Sequence, residues 1–204
     1  SNQHPYCLIN KKKWINFCKG KIHNSNVKII KKKVEDKNSK FFVDKKLIEG
    51  DYFFDSRNVI SHKNILLQHF LGLTIEINEN KFDPSTVILM DFRCNQSRGL
   101  HFIYVIPFSK KKALIESTLF SKNVEDRKFY LSAINSYLKE NFNTNFFKVL
   151  KEEKGIIPMQ YLNFSLENSV SIGTRGGATK PSSGYTFIYI QKQISNIIYQ
   201  LNNN

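Results

Sequence analysis

Apolar residues recur along this chain with two different periods, and the alternation between them maps its elements. Near the start, Leu8, Ile9, Trp14, Ile15 and Cys18 have a loosely helical spacing over Pro5 to Cys18, which Gly20 ends. The stretches VKIIKKKV (27–34), KFFVD (40–44) and DYFFDSR (51–57) then read as short strands with polar turns between them, a small β-meander. NILLQHFLGLTIEI (64–77) fits either period, but its β-branched tail and the following NENKFDPST turn favour a long strand. VILMDF (87–92), LHFIYVIPF (100–108) and KALIESTLF (112–120) follow as strands, separated by NQSRG and SKK turns. LHFIYVIPF is apolar on both faces, which places it centrally in a covered sheet, with Pro107 marking its end.

Val124, Phe129, Leu131, Ile134, Tyr137 and Leu138 approximate a 3.6-residue period and predict a helix over 125–142. FFKVLKEEKGIIPM reads as a strand, a turn at Gly155 and a second strand ending near Pro158; NSVSIG is a last short strand. From Ser183 to Leu201 the apolar spacing suits a terminal helix. The chain is thus a mixed α+β protein dominated by an antiparallel sheet.

At 204 residues, with 41% hydrophobic and 13% aromatic residues, it is long and apolar enough for a sizeable core and is no disordered tail. The net charge of +14 has three readings. Lysine runs at 11–13, 31–33 and 110–112 are far apart in predicted turns, which suits a compositional bias first, an anionic membrane surface second and nucleic acid third. Against nucleic acid, the aromatics lie in alternating apolar strands rather than in a basic patch of exposed rings. Cys7, Cys18 and Cys94 form no Cys-x-x-Cys pair, and the five histidines are scattered, so neither a disulfide framework nor a metal site is readable. No run of eighteen apolar residues and no signal peptide are visible.

Two stretches carry candidate chemistry. In IGTRGGATKPSSGYTF (172–187) the glycines fit neither a P-loop nor a Gly-x-Gly-x-x-Gly fingerprint. What remains is a strand, a glycine loop and a helix N-terminus at Ser182 or Ser183. Exposed backbone N–H groups and the positive helix end there favour a phosphate, a ribityl chain or the carbonyl edge of a flavin. The alternative is a left-handed glycine turn and a serine cap holding no ligand. In ALIESTLF, Leu114, Glu116, Thr118 and Phe120 share one face of a strand. A carboxyl among them would be desolvated, held protonated and able to act as a general acid; on an edge strand it would simply face solvent.

The run FDPSTVILMDFRCNQSRGLHFIYVIPFSKKKALIESTLFS, then EEKGIIPM, then IGTRGGATKPSSGYTF, resembles the lycopene cyclase family, flavoproteins of carotenoid biosynthesis. The likeness covers about residues 65 to 193, with YFFDSR similar to the family's Asp-x-Arg segment near the flavin. The pairing of GIIPM with KPSSGYTF favours the cyclases over other isoprenoid or polyene flavoenzymes of the same superfamily.

The resemblance implies a glutathione-reductase or hydroxylase type FAD-binding α/β domain with an inserted antiparallel substrate sheet. On that pattern residues 1–57 are the middle of the FAD-binding domain, 58–165 the polyene sheet, and 166–204 the return to the flavin. It implies cyclisation of the ψ ends of lycopene, or of a related acyclic carotenoid, to β-ionone rings without net redox change. Reduced FAD is the implied cofactor and NAD(P)H its reductant. Glu116 takes the place of the catalytic carboxylate, while the second carboxylate of the plant-type motif is replaced by Ser117. Arg93, Phe102, Tyr104 and Thr118 are the implied substrate contacts. Asp55, Arg57, Gly173, Thr174, Gly176, Gly177, Ser183, Gly184 and Tyr185 are the implied flavin contacts. The expected location is cytoplasmic, peripheral on the inner face of the membrane. The family's Gly-x-Gly-x-x-Gly fingerprint and its N-terminal βαβ unit occur nowhere in the sequence, which begins at Ser1 and reads as a portion of a longer protein; a degenerate or split relative is the alternative, and an inactive fragment is the alternative to the cyclase activity.

Overall fold

The computed structural model describes residues 8–57, 65–160 and 166–203. Two compact units divide at Gly50. In the first, α1 (Lys11–His23) is capped by Asn10, whose side chain accepts the Lys13 N–H at 3.1 Å. The helix runs through Gly20 instead of ending there, and the lysine run at 11–13 forms its first turn rather than a loop. The Pro5 start predicted for it lies outside the described residues.

Strands β1 (Val34–Lys37), β2 (Lys40–Val43) and β3 (Lys46–Leu47) form an antiparallel meander. Its two connections are two residues long, with φ of 51° and 59° at Asn38 and Ser39, and 50° and 64° at Asp44 and Lys45. Positive φ at both central positions defines type I′ turns, whose twist matches that of the strands they join. These turns fix the register, pairing Val34 with Val43 and Phe42 with Leu47. Residues 27–33 therefore contribute no strand, and the third strand is 46–47 rather than 51–57.

In the second unit β4 (Phe54–Asp55) pairs in parallel with β10 (Val170–Ser171), bringing the Asp-x-Arg segment beside the start of the glycine loop. The main sheet contains β5 (Leu67–Glu76), β6 (Ile88–Asp91), β7 (Leu100–Pro107), β8 (Lys112–Ser121) and β9 (Lys148–Pro158), all antiparallel, in the order β6-β7-β8-β5-β9. β7 is interior as its two apolar faces require, but the middle position belongs to β8.

Helix α2 (Arg127–Phe142) starts at Asp126, whose side chain caps the Phe129 N–H at 2.9 Å, and ends at Asn143 in the left-handed region. It lays Tyr130, Ile134, Tyr137 and Leu138 over Leu71, Leu73, Ile75, Ile103, Val105, Ala113 and Ile115, and this apolar layer is the core. α3 (Phe187–Asn203) follows the glycine loop.

The turn expected at Gly155 is absent, because β9 continues through it as one strand. Gly155 faces Phe70 of β5 in register, and a Cβ there would lie 2.6 Å from Phe70 Cζ. The glycine makes room for a ring laid across the neighbouring strand, a cross-strand packing device and not a breaker. Gly155→Ala is therefore expected to lower stability by about 1–3 kcal/mol through overpacking. Chemical denaturation should show a reduced midpoint with an unchanged slope.

Candidate active site

Alternation along β8 sends Ala113, Ile115, Ser117 and Leu119, all buried, toward α2, and turns Leu114, Glu116, Thr118 and Phe120 to the opposite face. On that face Glu116 has Tyr104 of β7 on one side and Gly72 of β5 on the other, with Glu153 of β9 beyond Gly72. Thr118 Oγ1 donates to Glu116 Oε1 at 3.0 Å. Gly72 supplies the space: a Cβ there would sit 3.2 Å from Leu114 Cδ1 and Glu153 Cγ and 3.3 Å from Glu116 Oε2. Burial raises the Glu116 carboxyl from its ordinary value of 4.5 to about 7, with the Thr118 hydrogen bond opposing the rise and the Glu153 charge adding to it. Because β8 is the central strand, the solvent-facing edge alternative falls.

Phe102 is buried on the same face, in edge-to-face contact with Phe92, Tyr104 and Phe120 at centroid distances of 5.6, 5.3 and 5.4 Å. Glu116, Thr118, Tyr104 and Phe102 are thus assembled as one aromatic-lined surface around a protonatable group. Arg93 is not among them. It follows the β6 bulge, pairs with Asp91 at 2.6 Å and lines a cleft of about 700 Å³ with Cys94, His101, Phe129 and Tyr137 on the α2 side. Asp91 also accepts from Tyr137 Oη at 2.6 Å, and Arg93 followed by that phenol holds its carboxyl far below the usual range. A second cleft, of about 450 Å³, lies between β9 and the start of α2; neither cleft includes Glu116.

The α2-facing side carries two buried histidines that the scattered sequence positions gave no reason to connect. His101 Nδ1 donates to the Asn95 carbonyl at 2.9 Å, which leaves neutral Nε2 to accept from Ser117 Oγ at 2.8 Å. Ser121 Oγ donates to the Asn123 carbonyl at 2.6 Å and so accepts from His69 Nε2 at 2.9 Å, leaving His69 Nδ1 to accept from the Tyr130 hydroxyl. Desolvation depresses both imidazoles and favours these neutral forms. Ser117, fully buried against His101, cannot share a face with Glu116.

The glycine loop is held from both sides. Asp55, buried at the end of β4, binds Arg57 Nη2 at 2.8 Å and Arg175 Nε at 3.2 Å, and the Arg57 hydrogen bond leads the causes that lower its pKa. Gln193 of α3 clamps the loop, accepting the Gly173 N–H and donating to the Gly176 carbonyl, each at 2.7 Å. Thr174, Thr179 and Thr186 form a hydroxyl chain at 2.9 and 3.0 Å.

Two expectations about the loop change. Its N–H groups at Gly173, Gly176, Gly177 and Ala178 donate within the chain instead of standing free. The helix begins at Phe187, not at Ser182 or Ser183, because the Ser183 and Gly184 N–H groups fold back on the Lys180 carbonyl in a turn of their own. Gly176 serves closure: a Cβ would strike the Ser171 carbonyl oxygen at 2.1 Å. Gly173, at φ 65°, meets nothing within 4 Å and leaves a bare surface. Gly184, at φ 71° and beside the exposed Tyr185, abuts Gln68, whose buried Oε1 has no hydrogen-bond partner; neither has the buried Ser183 Oγ. Gln68 shares the face of Glu116, four residues or roughly 13 Å along β5 from Gly72. The sheet face that carries Glu116 thus runs from the glycine loop to the acid.

The sequence model of the family described as lycopene cyclase protein matches residues 6–203. The chain belongs to the lycopene cyclase family. It is 28% identical over 161 residues to a lycopene beta-cyclase of Paracoccus sp. (strain N81106 / MBIC 01143), covering 74% of this chain and 41% of that protein. A chloroplastic neoxanthin synthase of Solanum tuberosum is 28% identical over 127 residues, 56% of this chain and 25% of its own length. The chain therefore spans less than half the length of these relatives. Among solved structures, flavin-dependent brominase Bmp2 matches with TM-score 0.54 and 11% identity, covering 91% of this chain and 53% of its own. A geranylgeranyl bacteriochlorophyll reductase-like protein of Thermoplasma acidophilum matches with TM-score 0.52 and 11% identity, covering 80% and 48%. These two likenesses concern the fold, and they set this cyclase-family chain among folds that include flavin-dependent enzymes.

The raised Glu116 carboxyl has a thermodynamic consequence. Its folded pKa lies above its unfolded value, so its contribution to stability is intact below pH 4.5 and is lost as pH rises through about 7. Glu116→Gln removes that loss. The variant's stability gain over wild type should grow from near zero at acid pH to on the order of 3 kcal/mol at alkaline pH. Denaturation midpoints measured across that range would show instead a constant difference if the carboxyl were solvated.

Proposed function

We propose that this cyclase-family chain carries the catalytic acid and part of the flavin-facing wall of a lycopene β-cyclase. The observation that supports it most is Glu116, a carboxyl held protonated near neutrality on an aromatic sheet face that leads to the glycine loop. The polyene lies along that face, its end over Glu116. Glu116 delivers its proton to the terminal double bond, leaving a tertiary carbocation. The neighbouring double bond attacks the cation, closing a six-membered ring, and the Glu116 carboxylate takes back a ring proton, which gives the β-ionone end and restores the acid without net redox change. Phe102, Tyr104 and Phe120 present π faces and edges that fit a hydrocarbon and favour a nearby cation. Thr118 fixes the acid's orientation through its hydroxyl.

The residues present fit a flavin, through the bare Gly173 surface and the two buried unpartnered atoms at Gly184, Gln68 Oε1 and Ser183 Oγ. Gly173, Thr174, Gly177, Ser183, Gly184 and Tyr185 would hold it, with the Asp55–Arg57 pair behind them. Reduced FAD held there, with NAD(P)H as its reductant, would supply an electron-rich ring able to stabilise a cation. No described helix is long and apolar enough to cross a membrane. Exposed lysines and a hydrocarbon substrate suit peripheral attachment to an anionic inner leaflet, so binding of the complete protein to anionic liposomes should weaken as salt rises.

With reduced FAD and lycopene, Glu116→Gln in the complete protein is expected to lower ring closure by 10²-fold or more, roughly the weight of a general acid. Glu116→Asp should keep a small residue of activity. Cyclic carotenoid formed by the Gln variant at near wild-type rate would place the proton source elsewhere. A hydrogenated or hydroxylated product from the wild type would favour the other polyene flavoenzymes.

A further inference from the structure

The family resemblance puts the second carboxylate of the plant-type motif at residue 117, where this chain has serine. The fold shows why a partner to Glu116 must come from another strand. Residue 117 projects to the α2 side, fully buried and bonded to His101, so no side chain there meets Glu116. The face of Glu116 nevertheless holds a second carboxylate. Glu153 stands on β9, two strands away but in the same transverse row, because Gly72 pairs with Glu116 on one side and with Glu153 on the other. The strand between them has no side chain at this row. An imagined Gly72 Cβ would touch Glu153 Cγ at 3.2 Å and Glu116 Oε2 at 3.3 Å, so both carboxyl side chains converge over one glycine.

We propose that Glu153 is a positioning residue for the catalytic step: its charge, facing Glu116 across Gly72, disfavours ionisation of the acid, and Lys151 sets how much of that charge Glu116 feels. Lys151 Nζ binds Glu153 Oε2 at 2.7 Å and is itself largely exposed. Its ammonium partly neutralises Glu153, while residue 151 itself stands in the row of Thr74 and Leu114, one same-face position along β9 from the row of Glu116. The other groups on this face do less. Tyr104 is an uncharged phenol in register with Glu116, and Lys112 and Glu76 oppose one another at the far end of their strands. Thr118 bonds the acid but carries no charge. Like charges brought together over low-dielectric side chains raise the proton affinity of the more buried one, which is Glu116. The direction found for Glu116, raised in part by Glu153, agrees.

The inference rests on the reading of Glu116 as the acid, and two variants separate the two claims. The probe is the carboxyl ¹³C shift of Glu116 in the complete protein, assigned by its loss in Glu116→Gln, alongside the pH profile of ring closure. Glu153→Gln should move the Glu116 midpoint, and with it the alkaline limb of the profile, down by roughly half a unit to one unit. Lys151→Met, a change at an exposed side chain, should move both up. Opposite displacements are what a tuning pair produces and what a packing defect does not. An unchanged midpoint in both variants, or displacement of both in the same direction, overturns the role of Glu153 while leaving Glu116 as the acid. A wild-type midpoint at the ordinary value near 4.5 overturns the underlying reading, and the tuning with it.

Discussion

One carboxyl group at the centre of a sheet is largely withdrawn from water, and the candidate site is organised around that desolvation. Glu116 sits on the middle strand of five, flanked by a tyrosine on one side and by a glycine on the other. The glycine lets the side chain lie down against the sheet between Leu114 and Glu153 instead of standing off into solvent. Removing the carboxyl from water costs more for its charged than for its neutral form, so the proton stays on to near pH 7. A general acid for a hydrocarbon needs this property, since a carboxylate ionised at neutrality has no proton to give.

The two faces of the sheet divide the labour. Toward α2, the sheet is a packed apolar layer, and its few polar groups are matched to one another: His101 with Ser117 and Asn95, His69 with Tyr130 and Ser121. That ladder ties the central strands to α2 and to the flanking loops on the side opposite Glu116. On the reverse side the matching is incomplete: Thr118 bonds Glu116 and Lys151 bonds Glu153, but the buried Gln68 Oε1 has no partner. Aromatic rings and the carboxyls of Glu116 and Glu153 occupy that face, and at its far end Gln68, with its unpartnered amide oxygen, meets the glycine loop at Gly184. A finished core satisfies its polar atoms, whereas a binding face leaves some for the ligand.

Local pattern showed the long elements of this architecture well, because their cause is local. Strict alternation in KALIESTLF placed Glu116, Thr118 and Phe120 on one face, and the structure has them there. The helical spacing over 125–142 matches α2 within two residues. Errors arose where a distant residue decides the outcome. Gly155 reads as a turn until Phe70 is seen lying across it, and the packing reason for glycine at 176 shows only once the Ser171 carbonyl is found against it. Ser183 looks like a helix cap, but the Lys180 carbonyl captures its N–H and that of Gly184, delaying α3 to Phe187. The convergence of Glu153 on Glu116 depends on β9 joining the sheet beside β5 after the helix, and no spacing in the sequence encodes that.

The central claim is a protonated Glu116 at working pH, and infrared difference spectroscopy reads it directly. The spectrum of the complete wild-type protein minus that of Glu116→Gln, taken at pH 6, should be dominated by the C=O stretch of a neutral carboxylic acid, with the carboxylate form only about a tenth of the total, as a pKa of about 7 requires. Carboxylate bands alone in that difference would show Glu116 ionised, and would contradict the account.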